Sequence, residues 1–115
     1  QAIDLSRTEQ PAREAIRQIG EGWVGEEALG IGVFCALRHP DDFASAVVAA
    51  ANHDGDSDST GAITGNILGA YLGLGRIPPA WVEVVELREV LIQVADDLLV
   101  GYRDDEEWGK RYPGC

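Results

Sequence analysis

The sequence predicts an all-α protein, and three observations support this fold class. Apolar residues recur at helical spacing along most of the 115 residues, and no segment shows the strict apolar and polar alternation that a β-sheet requires. Glycine, proline and acidic residues fall where helices would begin and end. The length is that of a single domain. We expect this domain over residues 1–101, followed by a charged surface tail over residues 102–115.

The N-terminal part of the chain predicts a short amphipathic helix followed by a loop. The helix begins near Thr8, with Pro11 in its opening turn and Gly20 beyond its end. A glycine-flanked loop over residues 22–25 then carries Trp23. Both features precede the more apolar helices of the chain.

Two apolar helices are predicted next. Residues 26–37 form a central helix with acidic residues in its first turn, and His39-Pro40 ends it. Residues 43–51 form a helix of small side chains that is opened by two aspartates. An acidic segment over residues 52–61 follows immediately.

The helix after the acidic segment has an unusual glycine pattern. A spacing of four places one glycine ridge along one face of this helix, and we expect the helix to end at Gly75. Each glycine inside a helix costs about 1 kcal/mol relative to alanine. We therefore expect the ridge to make very close contact with another helix. The ridge consists of glycines 61, 65, 69 and 73.

The C-terminal part predicts two further helices and the tail. Pro78-Pro79 begins a short helix that carries Trp81, and the tail from residue 102 is anchored by Trp108 and Tyr112. Between them lies an amphipathic helix with an apolar stripe. The stripe comprises Leu87, Val90, Leu91, Val94 and Leu98.

Composition excludes several function classes. Nine basic residues among twenty acidic ones give a net charge of −11, so we expect neither nucleic acid nor an anionic membrane as partner. No apolar run approaches the length of a membrane span. Two cysteines give no disulfide framework, which predicts a reducing, cytoplasmic location. The chain contains no methionine, and we interpret Gln1 as an internal start within a longer protein.

The acidic segment predicts a hard-cation site. Its sequence places the carboxylates of Asp54, Asp56 and Asp58 among hydroxyl side chains. Carboxylate and hydroxyl oxygens are the ligands that Mg²⁺, Ca²⁺ and Mn²⁺ prefer. Two histidines and two cysteines offer little to a softer metal. A magnesium-type site is the leading interpretation.

Two alternatives apply to the same segment. The three aspartates match the first ligand positions of an EF-hand, but Ser59 stands where that loop needs glycine and Gly65 where it needs glutamate. Alternatively, Ser59 or Thr60 is simply the N-cap of the next helix. A cap needs only one such residue, and three aspartates repel one another, so the metal site is favoured. Free N–H groups at the helix start would also suit a diphosphate, which suggests a nucleotide-like substrate.

These residues resemble the C-terminal region of the ADP-ribosylglycohydrolases, a family that includes dinitrogenase reductase-activating glycohydrolase. The resemblance runs from about residue 22 to residue 99, and residues 55–61 are its most specific part. It is carried by Gly22 to Leu29, Cys35 to Arg38, Asp41 to Phe43, Asn52 to Gly61, Gly65 to Gly69, Ile77-Pro78 and Trp81.

The resemblance implies a fold, an activity and a ligand set. The family is all-α, and a two-magnesium centre cleaves the glycosidic bond between ADP-ribose and a side chain, often arginine. It implies Asp56, Asp58 and Ser59 as metal ligands, with Thr60 as the alternative hydroxyl and Asp54 nearby but not bound. Mg²⁺ is the expected cofactor, with two ions in a complete site and Mn²⁺ as an alternative.

Residues around the acidic segment are candidates for binding and support. Trp23 and Asn52 are candidate substrate-binding residues, because a tryptophan in a loop is well placed to stack on adenine. Asn52 and His53 are candidates to orient the acidic segment, and for His53 a plain surface or supporting role is favoured over catalysis. Glu26 and Glu27 are interpreted as acids that favour the start of a helix.

The departure from the family limits the functional prediction. The family's N-terminal half, with a Thr-Asp-Asp cluster and the acid that handles the proton, has no counterpart here, so the catalytic residues are unknown. The leading hypothesis is a magnesium-dependent hydrolase that is incomplete without this half. The alternative is a non-catalytic helical binding or oligomerisation module. Both predict association, as a homodimer or with a complementing N-terminal half, and an ADP-ribose-type ligand.

Overall fold

The computed structural model describes residues 1–114 and confirms the all-α prediction. Within these residues the secondary structure is helical, and no β-strand is present. None of the described helices combines the length and the apolar character needed to cross a bilayer. The helices are α1 Ala2–Ser6, α2 Ala12–Ile19, α3 Gly25–Arg38, α4 Phe43–Ala51, α5 Ser57–Leu72, a 3-10 turn Leu74–Arg76, α6 Pro79–Val84, α7 Arg88–Val100 and α8 Glu106–Arg111.

The chain forms two compact units, residues 1–79 and a second unit that begins at Ala80. The predicted division into a domain over residues 1–101 and a tail over residues 102–115 stays a prediction. The segment predicted as tail contains the short helix α8.

The first unit is built around α3, which packs against α1, α2, α4 and α5. Small side chains such as Ala46 and Ala50 are fully buried and let α4 approach its neighbours closely. This packing fixes both ends of the acidic segment, which follows α4 and continues into the first turn of α5. The buried apolar side chains are Ala15, Ile16, Ala28, Ile31, Phe34, Cys35, Ala36, Phe43, Ala46, Ala50 and Leu68.

Some predicted helix boundaries are wrong. The first predicted helix begins at Ala12 rather than near Thr8, with Pro11 as its N-cap, and the short helix α1 precedes it. The glycine-rich helix ends at Leu72, because Gly73 takes up a positive φ of 76° at its C-cap. The predicted end at Gly75 is therefore wrong, and Gly75 lies in the 3-10 turn.

The close helix contacts involve different glycines from those predicted. A Cβ atom on Gly61 or Gly69 would meet nothing within 4 Å, and one on Gly65 would lie 3.9 Å from Phe43. A Cβ on Gly32 of α3 would instead lie 2.5 Å from Ile63 Cγ2. The tight crossing of α3 and α5 thus depends on a glycine of α3, whereas a Cβ at each of the four ridge glycines would fit without a close approach.

The second unit contains α7 and α8. The Arg111 guanidinium donates to both carboxylate oxygens of Asp97, at 2.8 and 3.0 Å, and the Tyr112 hydroxyl donates to Asp97 at 2.7 Å. Trp108 and Tyr112 pack with ring centroids 5.2 Å apart. The contacts of Arg111 and Tyr112 with Asp97 attach α8 to α7, whereas the ring of Trp108 packs on Tyr112. The apolar stripe of α7 is exposed, with Leu98 78% accessible.

Candidate metal centre

Asp56 is the N-cap of α5. Its carboxylate accepts the backbone N–H of Ser59 at 3.5 Å. The alternative in which Ser59 or Thr60 caps this helix is therefore wrong, because the helix begins three to four residues earlier than that interpretation assumed. Asp58 and Ser59 consequently lie in the first turn, on the same end of α5 as the cap.

The structure brings the three candidate metal ligands together. The pKa of Asp56 lies below its ordinary value, first because its carboxyl shares a hydrogen bond with the Asp58 side chain and second because it accepts one from Ser59. A hydrogen bond between two carboxyl groups requires a proton on one of them. When both are ionised they repel each other, and a bound cation removes that repulsion. Asp56, Asp58 and Ser59 thus form an oxygen-rich cluster suited to a hard cation. Their role as ligands stays a prediction.

The side chain of Thr60 makes hydrogen bonds inside the fold. Its side chain is fully buried, and its hydroxyl lies 2.8 Å from the carbonyl oxygen of Ala50 at the end of α4. His53 Nε2 lies 2.8 Å from the same hydroxyl, and His53 Nδ1 accepts the Gly55 N–H at 3.1 Å. These contacts favour Ser59 over Thr60 as the hydroxyl available to a metal. Of the two roles expected for His53, surface or support, the contacts favour support.

The loop between α2 and α3 contacts the acidic segment. This Trp23 loop, residues 20–24, connects α2 to α3, and its Glu21 carbonyl accepts the Asp56 N–H at 2.8 Å. The Glu27 carboxylate accepts the backbone N–H groups of Glu21 and Gly22, both at 3.1 Å. Glu27 therefore orders the loop beyond its expected role at a helix start. Sequence reasoning missed this contact.

Two arginines of α2 hold Asp54. Arg13 and Arg17 each donate to one oxygen of its carboxylate, Arg17 at 2.9 Å. These hydrogen bonds, that of Arg17 first, lower the pKa of Asp54. Asp54 is thus engaged by α2, and its exclusion from the ligand set stays a prediction. The spacing of four between the arginines is the sequence signal that would have indicated them.

The two candidate substrate-binding residues differ in their availability. Trp23 is 67% exposed, and its indole N–H donates to the Glu21 carboxylate at 3.1 Å. Its ring is available to stack on a planar ligand. The Asn52 amide donates to the carbonyl oxygen of Val48 at 2.7 Å and so completes the end of α4.

The described donor set fits part of a magnesium site. Two carboxylates and a hydroxyl suit Mg²⁺, which is commonly bound through one or two carboxylates and keeps several waters. Among residues 1–114 no group of three or more His, Cys, Asp or Glu side chains is arranged to hold a metal ion.

Comparison with known proteins identifies the family. The family description ADP-ribosylglycohydrolase matches residues 1–107, a longer stretch than the predicted resemblance. The chain belongs to the ADP-ribosylglycohydrolase family.

Curated relatives carry related names. The chain is 31% identical over 96 residues, 84% of its length, to an ADP-ribosylarginine hydrolase Tri1 of Pseudomonas putida strain GB-1. It is 37% identical over 57 residues, 47% of its length, to an ADP-ribosyl-[dinitrogen reductase] glycohydrolase of Rhodospirillum rubrum. It spans only 25% of the first relative and 19% of the second. No solved structure matches the chain significantly.

Proposed function

We propose that this chain supplies one side of the active site of a magnesium-dependent ADP-ribosylglycohydrolase. The substrate class is an ADP-ribosylated side chain or a related ADP-ribose compound, and the reaction is hydrolysis of its glycosidic bond. The observation that carries the proposal is the cluster of Asp56, Asp58 and Ser59 at the start of α5 in a chain of this family. The relatives named as acting on ADP-ribosylated arginine and dinitrogen reductase support the substrate class.

The described residues have distinct roles in this proposal. Asp56 and Asp58 hold Mg²⁺ through their carboxylates, and Ser59 adds a neutral oxygen. When bound, Mg²⁺ polarises and orients the oxygens of the substrate and of the attacking water. Trp23 stacks on the adenine ring from the neighbouring loop. The group that handles the proton lies outside this set of residues.

The proposal includes a partner surface. Leu99 is 89% exposed and Leu98 is 78% exposed on α7, and Val84 of α6 is 81% exposed. Large apolar side chains exposed in this way favour association. Because the chain spans 25% of the ADP-ribosylarginine hydrolase of Pseudomonas putida that it matches, a complementing N-terminal half of the family domain is the proposed partner, and a homodimer is the alternative.

A non-catalytic helical module is the second candidate function. It is favoured by the absence, within residues 1–114, of a complete group of three metal-binding side chains. Such a module would keep the packing of the family and bind at most one cation or nucleotide. It predicts a stable chain that shows no turnover even when a complementing half is supplied.

Calorimetric titration with Mg²⁺, and then with ADP-ribose, tests the metal site. Asp56→Asn and Asp58→Asn are the informative variants, because asparagine is as good an N-cap as aspartate but a weak ligand for Mg²⁺. Asp42→Asn is the matched control, since Asp42 caps α4 by accepting the Ser45 N–H at 3.0 Å. We expect binding by the wild type and the control, and its loss in both test variants.

A turnover assay separates the two candidate functions. Release of ADP-ribose from a modified arginine peptide is measured after an N-terminal half from a relative is added or fused. Magnesium-dependent release that Asp58→Asn abolishes would support the hydrolase. A folded, metal-loaded assembly without release would overturn it and leave the module.

A further inference from the structure

His53 contacts both ends of the segment that carries the candidate ligands. Its Nδ1 accepts the backbone N–H of Gly55 at 3.1 Å, and its Nε2 lies 2.8 Å from the Thr60 hydroxyl. Asp56, Asp58 and Ser59 all lie between these two contact points. The imidazole ring thus joins the residue before the first ligand to the residue after the last.

The contacts define the tautomer of this ring. Because Nδ1 accepts a hydrogen bond from Gly55, it carries no proton, and Nε2 of the neutral ring carries it. Nε2 then donates to the Thr60 oxygen, and the Thr60 hydroxyl donates to the Ala50 carbonyl at 2.8 Å. A continuous chain of hydrogen bonds therefore runs from Gly55 through His53 and Thr60 to the end of α4.

The far end of this chain is rigid. Thr60 and Ala50 are both fully buried, whereas His53 is half-buried and Asp58 is exposed. A buried hydroxyl with fixed partners cannot move without leaving a polar group unsatisfied. His53 therefore connects the buried core to a segment in which Asp56 and Ser59 are half-buried and Asp58 is exposed.

On the basis of the proposed function, we propose that His53 is a positioning residue that fixes the spacing of Asp56, Asp58 and Ser59 for the metal. It acts through the Gly55 backbone and the Thr60 side chain rather than by touching metal or substrate. Residues that orient metal ligands in this way commonly contribute 10- to 100-fold to metal affinity, and loss of the ring is expected to weaken Mg²⁺ binding by at least about 10-fold.

Three substitutions test the two contacts separately. His53→Ala removes both, His53→Asn keeps an acceptor near Nδ1 for Gly55, and His53→Gln keeps a donor near Nε2 for Thr60. His39→Ala is the control, because His39 is the other histidine of the chain and lies at the end of α3. We expect His53→Ala to bind Mg²⁺ about 10-fold more weakly, the two single-contact variants to be intermediate, and the control to be unchanged.

Magnetic resonance of the metal-free chain provides an independent readout. Nitrogen-15 shifts of the imidazole are expected to show the proton of His53 on Nε2, and amide exchange at Gly55 is expected to accelerate at least about tenfold in His53→Ala. A proton on Nδ1, or an unchanged Gly55 exchange rate, would overturn the positioning role. If His53→Ala fails to fold, the Gly55 exchange rates of His53→Asn and His53→Gln are compared instead.

The two readouts distinguish failure of this inference from failure of the proposed function. If the wild type binds no Mg²⁺, the proposed function fails, and the Gly55 exchange rate still decides whether His53 holds the segment. If the wild type binds Mg²⁺ and folded His53→Ala binds it equally well, the positioning role is wrong while the metal site stands.

Discussion

Gly55 lies directly against the backbone of Glu21. A Cβ atom on Gly55 would lie 2.6 Å from the Glu21 carbonyl carbon, closer than real side chains allow. The next residue, Asp56, donates its backbone N–H to the same carbonyl group at 2.8 Å. The acidic segment and the Trp23 loop are thus joined by a contact that only glycine permits.

The first prediction concerns this contact. Gly55→Ala is expected to destabilise the chain by about 1–3 kcal/mol, because backbone must move to admit the methyl group. Gly69→Ala is the matched control. A Cβ there meets no other group within 4 Å, and the helix should gain about 0.5–1 kcal/mol. Urea unfolding measures both, and equal effects of the two substitutions would contradict the close approach.

The second prediction concerns Asp54 and its two arginines. The pKa of Asp54 lies below its ordinary value of 3.8 because Arg17 and Arg13 donate to it. A lowered pKa in the folded state means that the ionised carboxylate stabilises the fold above about pH 3.8, and this stabilisation disappears as the pH falls through the folded-state pKa.

Asp54→Asn is therefore expected to be less stable than the wild type at pH 7 and to approach it in stability below pH 3.8. The difference at pH 7 should also shrink in 1 M salt, since the pair is more than half exposed to solvent. Thermal unfolding at several pH values and salt concentrations measures the stability difference between the two proteins. A constant difference between the two proteins would show that the arginines do not stabilise the ionised form.

The third prediction concerns the thiol of Cys35. The side chain is completely buried, and burial raises its pKa to about 12. Thiolate is the reactive form, so at pH 8 the thiolate fraction falls by about 1,000-fold relative to an ordinary cysteine. In a Cys115→Ser background, Cys35 should react with a disulfide reagent only as the chain unfolds. Rapid labelling of the folded chain would contradict this.

The fourth prediction concerns Trp23. Because its ring is 67% exposed, Trp23→Ala should change the free energy of unfolding by no more than about 0.5 kcal/mol. Loss of stacking should weaken ADP-ribose binding in the presence of Mg²⁺ by about 10-fold or more. Trp23→Phe keeps an aromatic face and should retain most of the affinity. Calorimetry measures the three proteins, and equal affinities would exclude Trp23 from the binding site.

Much of the fold was predictable because its signals are local. The helix over residues 43–51 begins and ends as predicted, since Asp42 caps it and small apolar residues fill it. Asp56, Asp58 and Ser59 are neighbours in sequence, so any helix start at this point brings them together. The family resemblance rests on the same short segment.

Contacts between distant residues were decided by the tertiary structure. The glycine ridge predicted close packing, yet Gly32 of α3 makes the tight crossing with α5, because helix crossing points depend on how whole helices dock. The contacts that hold Asp54 and the Trp23 loop could not be predicted from the sequence for the same reason. Arg13 and Arg17 reach Asp54 from another helix, and Glu27 folds back onto residues 21 and 22.

The sequence by itself determined the helical class of this protein, the segment that carries the candidate ligands and the family to which it is similar. These depend on periodicity, capping chemistry and a short contiguous motif. Only the tertiary structure decided that Glu21 accepts the backbone N–H of Asp56 and that the Thr60 hydroxyl joins His53 to the Ala50 carbonyl at the end of α4. Hydrogen bonds of this kind require groups from different turns to meet within about 3 Å, a condition that packing fixes and sequence spacing does not.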